Sequence, residues 1–147
     1  MSPSVIDNEG RTQDNARRIV TPLSLLRRYG LGYRKRPTPS IREATPVAWV
    51  AGLFMAVRRN SMRELGGFDE GFFLYCEDTA LCMRMWNSGG QVYLVPEPGV
   101  SHVARRMTLR NWRHFAWHLQ SLARMWSSAE FWRFVTRRHP IRDSALT

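Results

Sequence analysis

Two adjacent carboxylates, Glu77 and Asp78, stand at the predicted N-terminus of a helix and could do acid–base chemistry. They follow a loop rich in glycine and aromatic residues at residues 66–75. A positioned carboxylate can take a proton from a reacting hydroxyl, which typically accelerates a reaction by about 10²–10⁴-fold. Acids at a helix N-terminus are also stabilised by the helix dipole and the free N–H groups, so the pair could equally serve as a helix cap alone.

The elements that must hold this pair are predicted from the pattern of apolar and turn-forming residues. The nearly continuous apolar run at residues 47–57 predicts a buried strand, in which Gly52 indicates close approach of the backbone to another group. Apolar residues on one helical face predict a helix over residues 77–87, beginning at the acid pair. Residues 1–18 are polar and predict a loop, and residues 30–46, rich in proline and arginine, predict a mobile basic loop.

Shorter elements are predicted around this centre. The pattern predicts helices at residues 19–29 and at residues 61–65, the second capped by Asn60. Short strands are predicted at residues 91–95 and 100–103, separated by prolines that should interrupt strand pairing.

A long helix is predicted from Thr108 to about Trp126, and a short one over residues 130–138. Because arginines accompany an aromatic face, the apolar stripe of the long helix either packs on the sheet or lies at the interface of an acidic membrane. The stripe consists of Leu109, Trp112, Phe115, Ala116, Leu119, Leu122, Ala123 and Trp126.

The chain has 147 residues, which suits one ordinary domain. Its 22 Lys and Arg against 12 Asp and Glu give a net charge of +10. Such a charge favours anionic partners: nucleic acid, acidic lipid headgroups, or the phosphates of a nucleotide or lipid carrier. No zinc-binding, helix-turn-helix or RNA-binding pattern accompanies the charge, so a nucleic-acid partner is not expected.

The cysteines and the apolar runs bear on where the protein works. The spacing of Cys76 and Cys82 is not that of a metal or redox motif, which predicts reduced thiols. Residues 1–10 are unlike a signal peptide, and no apolar run is long enough to span a bilayer. We therefore expect a cytoplasmic protein, or one held peripherally at the inner face of the membrane.

The motifs around the acid pair resemble those of a known family. Gly-Gly-Phe-Asp-Glu, Phe-Phe-Leu-Tyr, Glu-Asp and Leu-Cys-x-Arg, in order over residues 66–84, resemble the acceptor-side segment of family-2 glycosyltransferases, especially the rhamnosyltransferase-like enzymes of bacterial cell-envelope polysaccharides. Residues 49–59 resemble the strand that precedes this segment. Further matches lie at Asp7, Glu9, Gly10, Gln13, residues 16–18, Gly89, Val92, Val95, Pro96, Val100, His102, His118 and Ser121.

The resemblance implies an inverting sugar transfer in which Asp78 is the catalytic base and Glu77 holds the acceptor hydroxyl. A nucleotide sugar would be the donor, and a lipid-linked or polysaccharide molecule the acceptor. His102 matches a histidine that helps to bind a metal or the diphosphate. A divalent cation, Mn²⁺ or Mg²⁺, is expected only where a donor-binding half is supplied, and an imidazole ligand suits Mn²⁺ better.

Other residues could bind substrate by their chemistry. Trp49, Gly52 and Tyr75 could line a sugar pocket, although Trp49 could equally be a core residue. Arg105 and Arg106 could clamp phosphates, or form only a solvated pair of charges.

This sequence departs from the family pattern in three ways. Cys76 stands where an aromatic residue is usual, Ala80 stands where a third acid is usual, and no Asp-x-Asp motif is present. The resemblance implies an α/β fold of the GT-A type, and because the Asp-x-Asp motif is missing we expect a partial GT-A domain without its N-terminal donor-binding half. The alternative is a non-catalytic acceptor- or membrane-binding remnant, or a subunit whose partner chain supplies the donor half.

The predicted organisation has three parts. Residues 1–46 form a loop and helix segment with a basic linker, residues 47–104 the acceptor-side core, and residues 105–147 an amphipathic helical segment.

Overall fold

The computed structural model describes residues 1–6, 15–30, 41–101 and 112–141. Among them a three-stranded sheet has β5 (Tyr93–Ser101) at its centre. β5 pairs in parallel with β1 (Ser2–Ile6) and antiparallel with β3 (Thr45–Pro46). The pairing of β1 with β5 joins the first predicted segment to the second, and the three-segment division itself stays a prediction.

A second, two-stranded sheet pairs β2 (Ala16–Arg17) antiparallel with β4 (Trp49–Val50). The prediction that residues 1–18 are loop is therefore wrong for β1 and β2. Both strands are short or polar, and they form because distant segments offer their backbone N–H and C=O groups as partners.

The predicted strand at residues 47–57 is also corrected. Only β4 is strand there, and Leu53 and Phe54 beyond it are exposed. Val47 and Val50 are fully buried, so the first half of the apolar run does enter the core. The chain turns away after Ala51, whose N–H donates to the carbonyl of Asn15 over 2.7 Å.

The two strands predicted at residues 91–95 and 100–103 are one continuous strand, β5, within the described residues. Its pairing with β1 shifts register: Val95 lies opposite Pro3, whereas Val100 lies opposite Val5. The intervening residues of β5 face a single residue of β1. Prolines are tolerated at such an irregular stretch because no ladder hydrogen bond is required from them.

Five helices complete the described architecture: α1 (Pro22–Gly30), α2 (Arg59–Glu64), α3 (Glu77–Asn87), α4 (Trp112–Trp126) and α5 (Ala129–Thr136). Each lies where a helix is predicted. The predicted start of the fourth helix, at Thr108, lies outside the described residues.

The ends of α1 and α2 differ in how they are capped. Thr21 and Ser24 exchange backbone-to-side-chain hydrogen bonds of 2.9 and 3.1 Å, a reciprocal cap at the start of α1. In α2, Arg58 rather than Asn60 occupies the N-cap and makes no side-chain capping bond.

The core lies between α3, α5 and the sheets. Leu81 and Met83 of α3 and Phe131 of α5 are almost completely buried there. The indole N–H of Trp86 donates to the carbonyls of Val47 and Ala48, at 3.1 and 3.2 Å, which ties α3 to the start of β4. α3 is thereby held firmly, and its N-terminus carries the acid pair.

Candidate functional site

The acid pair begins α3 immediately after two residues of unusual backbone conformation. Tyr75 and Cys76 both have positive φ angles, 69° and 66°, although neither is glycine. A non-glycine residue in this region costs of order 1–3 kcal/mol and persists only where surrounding contacts impose it. The strained pair turns the loop sharply into α3, so that Glu77 and Asp78 occupy the first turn of the helix.

The carboxylate of Asp78 is held in one orientation by hydrogen bonds to both of its oxygens. Oδ1 accepts from the backbone N–H and the hydroxyl of Thr79, at 2.6 and 3.2 Å. Oδ2 accepts from the backbone N–H of Gly52 over 2.8 Å. Since a carboxylate oxygen carries two lone pairs, and the described residues supply one donor to Oδ2, this oxygen has the capacity to accept one further hydrogen bond.

Gly52 therefore approaches another group closely, and that group is the Asp78 side chain. A Cβ built on Gly52 would lie 3.7 Å from both Cβ and Oδ2 of Asp78, an ordinary van der Waals distance. The space around Gly52 would therefore accommodate the Cβ atom of a larger residue. A side chain at this position would instead stand beside the oxygen that has a free lone pair.

The Glu77 carboxyl lies in a different environment. Its Oε2 is buried and has no hydrogen-bond partner among the described residues. Burial raises the pKa of Glu77 above its ordinary value, and the negative charge of Asp78 raises it further. Both effects disfavour the charged form of the Glu77 carboxyl relative to that of an exposed glutamate.

Helix α4 holds the strained loop through Tyr75. The Tyr75 hydroxyl is hydrogen-bonded to Nδ1 of His114 at 2.9 Å, and its ring stacks on His118 with centroids 4.9 Å apart. One turn away, the Ser121 hydroxyl donates to the carbonyl of Leu74 over 2.6 Å. These contacts explain how the positive φ angle of Tyr75 is maintained.

The pKa of His118 is affected by burial and by two charged residues. Burial lowers the pKa of His118, the positive charge of Arg17 lowers it further, and the negative charge of Asp78 acts in the opposite direction. His118 on α4 therefore interacts electrostatically with both Arg17 on β2 and Asp78.

The sequence patterns did not indicate His114 or Arg17 as site residues. His114 and His118 are four residues apart on one helix, a spacing that places both on the same face. This spacing is the sequence signal by which His114 could have been identified. Arg17 carried no signal, because its place depends on the pairing of β2 with β4.

The other residues predicted for the site are Trp49, which the structure describes, and three residues that it does not describe. Trp49 packs against the core, and its indole N–H donates to the carbonyl of Arg18 at 3.2 Å. His102, Arg105 and Arg106 lie outside the described residues.

The described residues offer no metal site. Within residues 1–6, 15–30, 41–101 and 112–141, no three His, Cys, Asp or Glu side chains come together as a group that could hold an ion. Over the same ranges, no helix has the length and apolar character needed to cross a bilayer.

A cavity of about 580 Å³ lies on the face of α3 away from Asp78. Its lining includes Met83 and Arg84 of α3 and the ion pair of Asp69 with Arg124. Arg84 donates to the carbonyls of Leu65 and Gly67, so both arginines already have partners.

An α/β chain that holds an acid pair at the start of a helix has the arrangement expected of part of a GT-A-like glycosyltransferase domain, and the predicted fold class is confirmed. The chain belongs to the glycosyltransferases of family 2. A family model described as "Glycosyl transferase family group 2" matches residues 27–143.

Individual relatives agree with the predicted rhamnosyltransferase-like character. The chain is 38% identical to Rhamnosyltransferase WbbL of Escherichia coli (strain K12) over 96 residues, 65% of this chain and 36% of that protein. It is 31% identical over 134 residues, 82% of this chain, to an N-acetylglucosaminyl-diphospho-decaprenol L-rhamnosyltransferase of Mycobacterium tuberculosis, covering 43% of it.

A more distant relative is the Inactive polypeptide N-acetylgalactosaminyltransferase-like protein 5 of Macaca fascicularis, 34% identical over 73 residues, 49% of this chain and 16% of that protein. The chain spans less than half the length of each of these relatives. No solved structure matches it.

Proposed function

We propose that this chain is the acceptor-side portion of an inverting glycosyltransferase of cell-envelope glycan synthesis, and that Asp78 is its catalytic base. The observation that supports this proposal best is the Asp78 carboxylate, held by Gly52 and Thr79 with one lone pair of Oδ2 free. A base that is already oriented loses little freedom when substrate binds, which is the condition for efficient proton transfer.

In the proposed reaction, Oδ2 of Asp78 takes the proton of the acceptor hydroxyl while the hydroxyl oxygen attacks the anomeric carbon of the donor sugar. The bond from that carbon to the nucleoside diphosphate breaks, and its electron pair leaves with the diphosphate. Glu77, whose buried Oε2 has no hydrogen-bond partner among the described residues, hydrogen-bonds the acceptor and orients it. The proposal also includes a divalent cation with His102 as a ligand, and phosphate contacts from Arg105 and Arg106. Both would act together with a donor-binding half.

The name of one relative supports a proposal for the acceptor class. Since the Mycobacterium tuberculosis relative is named for an L-rhamnosyl transfer to N-acetylglucosaminyl-diphospho-decaprenol, we propose L-rhamnose as the transferred sugar and a polyprenyl-diphosphate-linked sugar as the acceptor. The net charge of +10 suits a diphosphate-bearing acceptor at the inner face of the cytoplasmic membrane.

The test has a binding step and a transfer step. Titration calorimetry would measure binding of UDP- and dTDP-sugars, with and without Mn²⁺ or Mg²⁺, and of N-acetylglucosaminyl-diphospho-polyprenol. Transfer would then be compared for wild type, Asp78→Asn and Glu70→Gln. Glu70 is an exposed acid of the same loop and serves as the matched control.

We expect Asp78→Asn to reduce transfer by about 10²-fold or more while acceptor binding changes little, because only proton acceptance is lost. Glu70→Gln should transfer like wild type. Full transfer by a folded Asp78→Asn protein would overturn the proposal. Acceptor binding without donor binding or transfer would favour the alternative, a chain that needs a partner to supply the donor half.

A further inference from the structure

Helix α4 presents a continuous apolar face to solvent. With about 100° of rotation per residue, six apolar side chains fall within an arc of roughly 100° on this helix. One of them, Trp126 at the C-terminal end, packs against the core and donates its indole N–H to the carbonyl of Val20. The other five are Trp112, Phe115, Ala116, Leu119 and Ala123, all exposed, and are called here the α4 exterior face. Its large members, Trp112, Phe115 and Leu119, are 76%, 50% and 43% exposed.

The opposite side of α4 makes the contacts with the rest of the protein. Ser121 and Met125 are buried there, and His114 and His118 contact Tyr75. A surface helix normally turns its apolar stripe to the core and its polar residues to water. Here much of the predicted apolar stripe faces outward, so the first of the two alternatives, packing on the sheet, does not hold for the α4 exterior face, whereas Leu122 and Trp126 of the same stripe do pack against the core. An exposed apolar surface of this kind marks an interaction site.

The charge of α4 indicates what kind of surface it meets. Residues 112–126 contain two arginines and no acidic residue. The Arg113 guanidinium lies 5.8 Å from the centre of the Trp112 ring, at the border of the exterior face. Arg124 forms the ion pair with Asp69, so Arg113 is the arginine that borders the exterior face. Apolar and aromatic side chains beside a cation, on a chain of net charge +10, complement an anionic lipid surface.

We propose that the α4 exterior face docks on an anionic membrane surface, with Trp112, Phe115 and Leu119 inserted at the boundary between headgroups and acyl chains. The inference deepens the proposed function and rests on it, because a polyprenyl-linked acceptor lies in that membrane. The proposed docking also accounts for the position of Asp78, the proposed catalytic base. The inner side of α4 contacts Tyr75 beside the acid pair, so the pair stands on the order of one helix diameter, about 10 Å, from the lipid.

The docking surface is tested by sedimentation with lipid vesicles, using the full chain. Vesicles of equal parts phosphatidylcholine and phosphatidylglycerol would be compared with vesicles of phosphatidylcholine alone. The test variant replaces Trp112, Phe115 and Leu119 by serine. The control variant replaces Leu23 and Leu26 of α1 by serine, which are likewise exposed apolar residues on a helix.

Wild type and the α1 control should bind the anionic vesicles at low salt, and the α4 variant should bind at least about tenfold more weakly, because three large side chains no longer insert. Asp78→Asn should bind like wild type, so a failure of catalysis and a failure of docking are distinguishable. Absence of wild-type binding, equal binding by the α4 variant, or equal binding to neutral vesicles would overturn the proposal. So would wild-type self-association that the α4 variant abolishes without any vesicle binding, which would identify the face as a protein interface.

Discussion

The backbone N–H of Gly52 donates a 2.8 Å hydrogen bond to Oδ2 of Asp78, joining two residues 26 positions apart in the chain. This bond connects the turn after β4 to the first turn of α3. It also distinguishes the two carboxylate oxygens, since Oδ1 already accepts two hydrogen bonds from Thr79. Oδ2 is therefore the oxygen that the proposed reaction uses.

Gly52→Ala should impair sugar transfer while leaving the stability of the fold nearly unchanged. The added methyl group would lie 3.7 Å from Oδ2 of Asp78, so it fits without a clash but occupies space beside the reactive oxygen. We expect the free energy of unfolding to change by no more than about 0.5 kcal/mol. Sugar transfer and acceptor affinity should both fall, as measured by transfer assay and calorimetry. Undiminished transfer would place the acceptor hydroxyl elsewhere.

Trp86→Phe should destabilise the protein because it removes the donor to two main-chain carbonyls in the core. Both bonds, to Val47 and Ala48, are at buried residues, and no water can replace the indole N–H there. The expected loss is about 1–3 kcal/mol in the free energy of unfolding, measured by urea denaturation.

Trp132→Phe is the matched control for this substitution. The indole N–H of Trp132 also donates to a carbonyl, that of Trp126 at 2.8 Å, but its side chain is exposed. Water can replace that donor, so the change should stay within about 0.5 kcal/mol. Equal losses in the free energy of unfolding of the two variants would show that burial does not determine how much the Trp86 hydrogen bonds stabilise the protein.

Glu77→Gln should stabilise the protein near neutral pH. Burial raises the pKa of Glu77 above 4.5, so between pH 4.5 and the raised value the folded protein binds more protons than the unfolded chain. Stability contributed by this group is therefore lost as pH rises through that window. Glutamine carries no charge, so the variant does not lose this stability as the pH rises. The gain should stay below about 1 kcal/mol, because the side chain is partly exposed and water screens the charge.

Urea denaturation of both proteins at several pH values checks this prediction. The difference between Glu77→Gln and wild type should be largest near neutral pH and should shrink towards zero below pH 4.5. A difference that grows under acidic conditions would contradict the sign of the argument.

The two cysteines should be almost inert towards thiol reagents in the folded protein. Burial raises the pKa of both Cys76 and Cys82 to about 12, and for Cys76 the charges of Asp78 and Glu77 add to the effect. At mildly alkaline pH the thiolate population falls by roughly 10³-fold relative to a free cysteine. Labelling by a chromogenic disulfide should be correspondingly slow, and both thiols should react together in denaturant. Rapid labelling of the native protein would show that the loop before α3 opens.

Helix α3 was predictable from sequence because its determinants are local. The predicted span, residues 77–87, agrees with the observed helix Glu77–Asn87. Two acids favour its N-terminus, apolar spacing favours its buried face, and Gly89, with a φ of 84°, ends it. Gly52 was also recognisable as a point of close approach, although its partner was not.

Strands β1 and β2 were not predictable because their stability comes from partners far along the chain. Ser2 lies opposite Leu94, and Ala16 lies opposite Val50. A polar, two- to five-residue segment has too little apolar pattern of its own to indicate a strand. The same limit applied to Arg17, whose position relative to His118 depends on the second pairing.

By itself the sequence determined the family, the existence and type of the helices, and the position of the acid pair at the start of α3. These depend on short-range hydrogen bonds, capping and apolar period, all contained within about a dozen residues. The tertiary structure alone decided which oxygen of Asp78 is free, how His114 and His118 hold Tyr75, and which side of α4 meets water. Those properties depend on contacts between residues that are far apart in the chain, and the periodicity of one helix does not specify which of its faces a distant segment will cover.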